Sequence, residues 1–331
     1  MIKEIIKKTF TKKSLSIKES YLLFKNFIKR DISDIELAGC LIAMKIKGET
    51  KEEICGAVNA FLEKKIHFQK PNFPFLDVVG TGGDNANTIN ISTISSLVAA
   101  YCGVKIIKHC NTGVSSTCGS SDILQMLGIK INIDPITAKK MLEKFNICFL
   151  PATKYHPGFK YASTIRRHLK TRTIFNIIGP LLNPAEPKRI VIGVYNKKLI
   201  KIIAETLIKM KYEKAFVIYG NGMDEMSISS DTNIAEINNG KISYYNLNPK
   251  SFGFKPCKKK YIEINSLEEI FDTTKKILKG EGQKCYEYLI AMNTSILLKI
   301  NGEKNLKDNA RYILDVIRSG KIHQFINSFY L

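Results

Sequence analysis

The chain has 331 residues, and 51 Lys and Arg against 30 Asp and Glu leave a formal net charge of +21. Hydrophobic residues make up 44% and charged residues 24%, a globular composition that excludes wholesale disorder and a collagen-like repeat and allows one large or two modest domains. No run of about 18 apolar residues offers a transmembrane helix, and Met1–Phe10 lacks the apolar core of a signal peptide, so a cytosolic location is expected.

Three capping boxes follow one another in the first seventy residues: Ser16-Ile17-Lys18-Glu19, Ser33-Asp34-Ile35-Glu36 and Thr50-Lys51-Glu52-Glu53. Each precedes an amphipathic run, carried by Leu23, Phe24, Phe27 and Ile28, then by Leu37, Leu41, Ile42 and Met44, then by Ile54, Val58, Phe61 and Leu62. Gly48 stands where the second helix should stop. The pattern predicts a helical segment ending at Lys70-Pro71-Asn72-Phe73-Pro74.

Beyond it Phe75–Val79 reads as a short strand and Gly80–Asp84 as a loop. Ser92 is placed to cap a helix running to Cys102, with Gly103 closing it. Val104–His109 reads as a second strand, Cys110–Ser121 as a loop, and a short helix ends near Gly128. Strand, loop, helix, strand suggests a βαβ unit and a parallel sheet. Asp134-Pro135 opens another helix. Arg189–Tyr195 and Ala215–Tyr219 are further strands; Lys198–Lys211, Leu267–Leu278, Tyr286–Ile300 and Asp308–Ser319 are further helices.

The charge excess invites a nucleic-acid reading, but it consists of 44 Lys and only seven Arg. Lys is a strongly hydrated point charge, whereas Arg is the fork that reads phosphates and bases. With abundant Ile and Asn, the excess fits a compositional bias, and the Lys255–Lys260 cluster reads as a solvated loop. The eight cysteines, at 40, 55, 102, 110, 118, 148, 257 and 285, contain no C-x-x-C pair and are expected to be reduced.

Three features point to chemistry. Gly80-Thr81-Gly82-Gly83-Asp84 after a strand either makes a tight turn or brings backbone amides against an anion. It is neither a Walker loop nor the dinucleotide fingerprint, because no G-K-[ST] follows and Asn85 stands where a third glycine is required. Asn90-Ile91-Ser92-Thr93 adds an amide and hydroxyls at the next helix start, and Lys108-His109-Cys110-Asn111 stands at the end of the second strand, on the same edge if the strands are parallel. Secondly, Ala215–Gly240 holds no Lys or Arg but four acids, Asp224, Glu225, Asp231 and Glu236. Paired carboxylates on a loop are either solvated or hard ligands for Mg²⁺. Thirdly, three of the seven Arg fall at 166, 167 and 172, after His156-Pro157-Gly158 and before the rigid Asn176–Pro184 turn. Arg retained in a Lys-using chain hints at a bidentate carboxylate or phosphate contact.

IKGETKEEICGAVNA, DVVGTGGD, TINIST, the Lys108-His109 and Asn111 loop, HPGFK, the Arg166 segment, RTIFNIIGPLLNP and GNGMDE, in this order and spacing, resemble the anthranilate phosphoribosyltransferase family along almost the whole chain. The resemblance implies an α/β fold like that of the class II nucleoside phosphorylases. A small all-helical domain of residues 1–70, joined by an insertion near 150–190, would stand beside a larger α/β domain of residues 71–331 with a central, mainly parallel sheet. It implies a Mg²⁺-dependent pentosyltransferase that moves the phosphoribosyl group of 5-phosphoribosyl 1-diphosphate to the amine of anthranilate, in tryptophan biosynthesis. The family's donor contacts fall on Gly80, Gly82, Gly83, Asp84, Thr88, Asn90, Ser92, Thr93, Lys108 and Ser120. Its acceptor contacts fall on Gly80, His109, Asn111, His156 and Arg166, with Arg166 on the carboxylate. Two Mg²⁺ ions per subunit would be held by Ser92, Asp224 and Glu225.

No discrete acid or base is implied, since an aromatic amine is neutral at pH 7; catalysis would be positioning plus stabilisation of the departing pyrophosphate. A homodimer through the helical domain is implied; no membrane or nucleic-acid partner is expected, and association with an anthranilate synthase is not legible. The chain departs from the family at Cys110, a glycine in the usual Lys-His-Gly-Asn-Arg loop, at Thr112 for its Arg, at Gln125 for an acidic residue, and at Asn85 for a glycine. Two other readings share the superfamily: a non-catalytic nucleic-acid-binding relative and a pyrimidine nucleoside phosphorylase.

Overall fold

The computed structural model describes residues 1–84, 86–111, 118–264 and 266–330. Four helices come first, α1 (Ile2–Phe10), α2 (Ile17–Ile28), α3 (Asp34–Lys47) and α4 (Lys51–Glu63). All three expected capping boxes form, with Ser16, Ser33 and Thr50 each accepting the N–H of the Glu three residues on, and Gly48 closes α3 at φ 90°. The helices bury Leu23, Phe24, Phe27, Leu41, Val58 and Phe61. α2 and α4 cross so closely that a Cβ on Gly56 would strike the backbone of Ile17.

The chain then runs through β1 (Leu76–Gly80), α5 (Ile91–Tyr101), β2 (Ile106–Cys110), α6 (Ser120–Met126), α7 (Pro135–Phe145), β3 (Ile147–Pro151), α8 (Ala152–Tyr155), α9 (Phe159–Leu169), α10 (Ile174–Ile178), β4 (Arg189–Gly193), α11 (Leu199–Lys209), β5 (Lys214–Tyr219), β6 (Thr232–Asn238), β7 (Lys241–Leu247), α12 (Leu267–Leu278), α13 (Lys284–Asn301), α14 (Leu306–Arg318) and α15 (Lys321–Asn327). One sheet has the order β3-β2-β1-β4-β5-β6-β7. Its first five strands are parallel, in register Gly80 with Gly193 and Gly193 with Ile218, while β6 and β7 are antiparallel.

The parallel strands are buried on both faces, and alternate residues serve different cores. Val191, Phe216 and Ile218 pack with α5 and α13, whereas Ile190, Ile192, Ala215 and Val217 pack on the opposite side with α11 and the N-terminal helices. α9 and α10 join that second core: Phe175 lies 5.9 Å from both Phe24 and Phe61, and Phe159 lies 4.7 Å from Phe61.

Three sequence expectations are corrected. β3, β6 and β7 are strands beyond those that the sequence predicts. β6 and β7 are joined by a tight turn at Asn239-Gly240, both residues with positive φ, which is a strong hairpin pattern. The cysteines are not all thiols: Cys257 and Cys285 form a disulfide that ties the segment after β7 to the start of α13, with Cα atoms 6.0 Å apart. Ser92 is not the cap of α5. Asn90 occupies that position and its side chain makes no capping bond.

Candidate functional site

The C-terminal ends of β1, β2, β4 and β5 lie side by side, so the loops after them converge at one edge of the sheet, where open α/β sheets bind ligands. The loop after β1 turns back through Gly82 and Gly83, whose φ values of 65° and 69° favour glycine. Thr81 anchors it, donating its N–H to Gly193 O at 3.0 Å and accepting the Tyr195 N–H on Oγ1 at 3.0 Å.

The loop after β5 turns through Asn221 and Gly222, both at positive φ, and delivers Asp224 and Glu225 beneath the glycine loop. Asp224 Oδ2 accepts the Gly82 N–H at 2.8 Å. The fit is close: a Cβ on Gly80 would run into the Asp224 carboxylate, and one on Gly193 into the Asp224 backbone. Asp84 folds over the pair, accepting the Asp224 N–H at 3.3 Å. Glu225 Oε1 accepts the N–H of Ser92 at 3.1 Å, so the helix start that the sequence assigned to a Ser92 cap is closed by a carboxylate from another loop.

Burial, and then the charge of Asp84, lifts the Asp224 carboxyl to about 7; burial, and then Asp224, holds Glu225 well above its ordinary value. These are partly buried like charges without a full counter-charge. An oxygen-only donor set of this kind fits a hard divalent cation that takes its other ligands from phosphate. Among the described residues no group of three His, Cys, Asp or Glu forms a self-sufficient metal site.

Lys108, 1% exposed, points to the same side of the sheet. Its Nζ donates to Val78 O at 2.5 Å and lies 3.5 Å from Ser92 Oγ. Burial lowers its proton affinity, and Asp77 foremost among nearby acids opposes the shift. Around α5, Thr88 Oγ1, Asn90 Oδ1 and Thr93 Oγ1 are buried without a hydrogen-bond partner. Such atoms are costly to leave unpaired, so this rim is built for a polar ligand. Ser120 sits across from it, its hydroxyl exchanging 3.2 Å bonds with the backbone of Asn111.

On the other face of β2, His109 meets His156, with ring centroids 5.6 Å apart in an edge-to-face arrangement. His156 Nε2 donates to Leu182 O at 2.5 Å. His156 Nδ1 and His109 Nε2 are buried and unpartnered. Burial pushes His109 down to about 3 and His156 to about 4, so both rings are neutral. Phe159 meets His156 edge-to-face at 6.0 Å, and Arg166 follows seven residues later on the same side of α9. Its guanidinium is half-buried, desolvation lowers its proton affinity, and no described residue pairs with it.

The structure thus brings Gly80, Gly82, Gly83, Asp84, Ser92, Lys108, Asp224 and Glu225 together on one face of the sheet edge, and His109 and His156 on the other. Of the departures from the family pattern, Cys110 turns into the core with Ile106, and Gln125 lies exposed on α6. Asn85 and Thr112 lie outside the described residues. Sequence reasoning missed Gly193, whose lack of a side chain admits Asp224, and the buried pair Asp77 and Asn183. Gly193 ends a strand, so its need for no Cβ is invisible until the β5 loop is placed against it.

Comparisons with known proteins agree with this arrangement. Residues 72–323 match the glycosyl transferase family a/b domain and residues 3–65 its helical bundle domain. The chain is 50% identical to an anthranilate phosphoribosyltransferase of Buchnera aphidicola from Acyrthosiphon pisum, over 99% of this chain and 96% of that protein. It is 46% identical to that of Mannheimia succiniciproducens, over 96% and 93%. The crystal structure of the Thermus thermophilus enzyme superposes with a TM-score of 0.91 at 29% identity, covering 98% of both chains. The Saccharomyces cerevisiae enzyme in complex with PRPP and Mg gives 0.87 at 26%, covering 99% and 96%. The chain belongs to the anthranilate phosphoribosyltransferase family.

Proposed function

We propose that the chain transfers the phosphoribosyl group of 5-phosphoribosyl 1-diphosphate to the amine of anthranilate, releasing pyrophosphate, as a pentosyltransferase of tryptophan biosynthesis. One observation carries this reading. A glycine loop, a partly buried acidic pair and an unpaired polar rim meet at the sheet edge, while two neutral histidines occupy the opposite side of the same strand end.

The glycine-loop amides, Thr88, Asn90, Ser92, Thr93, Lys108 and Ser120 hold the donor, and Asp84 braces the loop. Ser92, Asp224 and Glu225 would hold Mg²⁺, two ions per subunit, which would supply positive charge to the diphosphate leaving group. His109, Asn111, His156 and Arg166 hold the acceptor, with Gly80 between the two substrates. Among the described residues the Arg166 guanidinium pairs with no carboxylate, which supports its pairing with that of anthranilate. Neutral histidines suit a neutral amine, because they accept its N–H groups without protonating the nucleophile. Orientation and charge stabilisation then account for the rate, with no strong base required.

Residues 1–70 together with the segment near 150–190 form the helical domain in this reading, supported by the Phe24, Phe61, Phe159 and Phe175 cluster. Exposed Phe10, Ile35 and Ile46 on its helices support a homodimer through that domain. The test is direct. Anthranilate fluorescence should fall when the donor and Mg²⁺ are added to the purified protein, and stay constant without Mg²⁺. No fall in the complete mixture overturns the reading.

A further inference from the structure

Asp77 lies wholly inside the protein, on β1, three residues before the glycine loop. Its two oxygens serve different elements. Oδ1 accepts the backbone N–H of His109 at 3.2 Å. Oδ2 accepts Asn183 Nδ2 at 2.9 Å. The same Asn183 amide donates to Ile107 O at 2.7 Å, and its Oδ1 accepts the Ala185 N–H at 2.9 Å. The residue before Asn183 is Leu182, whose carbonyl receives His156 Nε2. A continuous path therefore runs from the His109 peptide through Asp77 and Asn183 to the peptide that holds His156. The charge of Asp77 also does most to offset the effect of burial on Lys108.

We propose that Asp77 is a positioning residue that, through Asn183, fixes the separation and orientation of the His109 and His156 rings and so sets acceptor binding. A buried carboxylate with donors on both oxygens can hold two loops in one geometry, because any shift strands a charged acceptor or an amide donor in the core. The two histidines come from different elements, β2 and the segment before α9, and no direct hydrogen bond joins their rings; the Asp77–Asn183 link supplies the constraint. The inference rests on the proposed acceptor role of the two histidines.

The experiment is steady-state kinetics on Asp77→Asn, Asn183→Ala and the exchanged pair Asp77→Asn/Asn183→Asp, with ring-nitrogen NMR of His109 and His156. In Asp77→Asn the amide NH2 must face either the Asn183 donor or the His109 N–H, and in both cases the path is broken. The KM for anthranilate should rise about ten-fold relative to any change in the donor KM. The His156 ring signals should lose the single Nε2–H pattern. The exchanged pair restores a donor facing an acceptor between positions 77 and 183 but turns a carboxylate oxygen onto Ile107 O, so it should recover part of the loss. If Asp77→Asn does not fold, Asn183→Ala decides, with the same expected rise. Unchanged anthranilate KM, or equal rises for both substrates with unaltered histidine signals, overturns the proposal. If the wild-type protein consumes no anthranilate, the functional reading falls instead, while the histidine signals still test the network.

Discussion

The carboxylate of Glu225 accepts the N–H of Ser92 at 3.1 Å across 133 residues of sequence, and so closes the first turn of α5. One acid thereby joins the loop after β5 to the helix that follows the glycine loop. Burial and the adjacent Asp224 make its ionised form costly, which ties the stability of this corner to whatever cation offsets the charge.

Glu225→Gln keeps an oxygen for the Ser92 N–H and removes the charge. The metal-free protein should gain about 2 °C or more in melting temperature, because a partly buried like-charge contact is relieved. The rise in melting temperature that Mg²⁺ gives the wild type should disappear. Turnover should fall by about 10²-fold or more. Calorimetry with and without Mg²⁺, beside the fluorescence assay, checks all three. A Mg²⁺-induced rise equal to that of the wild type counts against Glu225 as a ligand.

Gly193→Ala places a methyl group into the Asp224 backbone. The β5 loop must back away, costing about 1–3 kcal/mol by urea unfolding. The same displacement moves Asp224 off the Gly82 N–H, so the Mg²⁺ concentration for half-maximal rate should rise as well. A loss of stability with an unaltered Mg²⁺ requirement refutes the link between this glycine and the acidic pair.

Arg166→Ala should raise the anthranilate KM by about ten-fold or more and leave the donor KM within about three-fold, since a charged hydrogen-bonded pair is removed from one substrate only. Arg166→Lys should recover little of it, because a point charge does not reproduce a two-pronged contact. Equal KM values in wild type and Arg166→Ala would place the anthranilate carboxylate elsewhere.

The two histidines give the protein a defined response to acid. Their ordinary value is 6.5, and burial lowers them to about 3 and about 4 in the folded state. Below pH 6.5 the unfolded chain takes up protons that the folded protein refuses, so their contribution to stability is complete above that pH. It is lost progressively as pH falls toward 4 and 3, at up to about 1.4 kcal/mol per pH unit for each ring. Urea unfolding at pH 7.5, 6 and 5 should show this slope, reduced in His156→Asn. An unchanged slope in that variant would show that another group carries the acid response.

Helix starts, most element positions and the family itself were legible in the sequence, because caps and amphipathic spacing are local and each is read within a few residues. Ser16, Ser33 and Thr50 cap as their three-residue spacing demands. The glycine loop and the Asp224-Glu225 pair stand out for the same reason, as local departures from a Lys-rich background. What only the tertiary structure decided lies between segments. Ser92 had the right chemistry to cap α5, yet the helix starts at Ile91 behind Asn90, and the N–H of Ser92 itself goes to a Glu225 carboxylate brought in from the loop after β5. Lys108 and His109 are neighbours in sequence but face opposite sides of the sheet, so strand alternation alone sends one to the acids and the other to His156. Asp77 and Asn183, 106 residues apart, carry no motif that marks a partnership; their meaning comes from exclusion of water, which leaves only each other and the neighbouring backbone as hydrogen-bond partners.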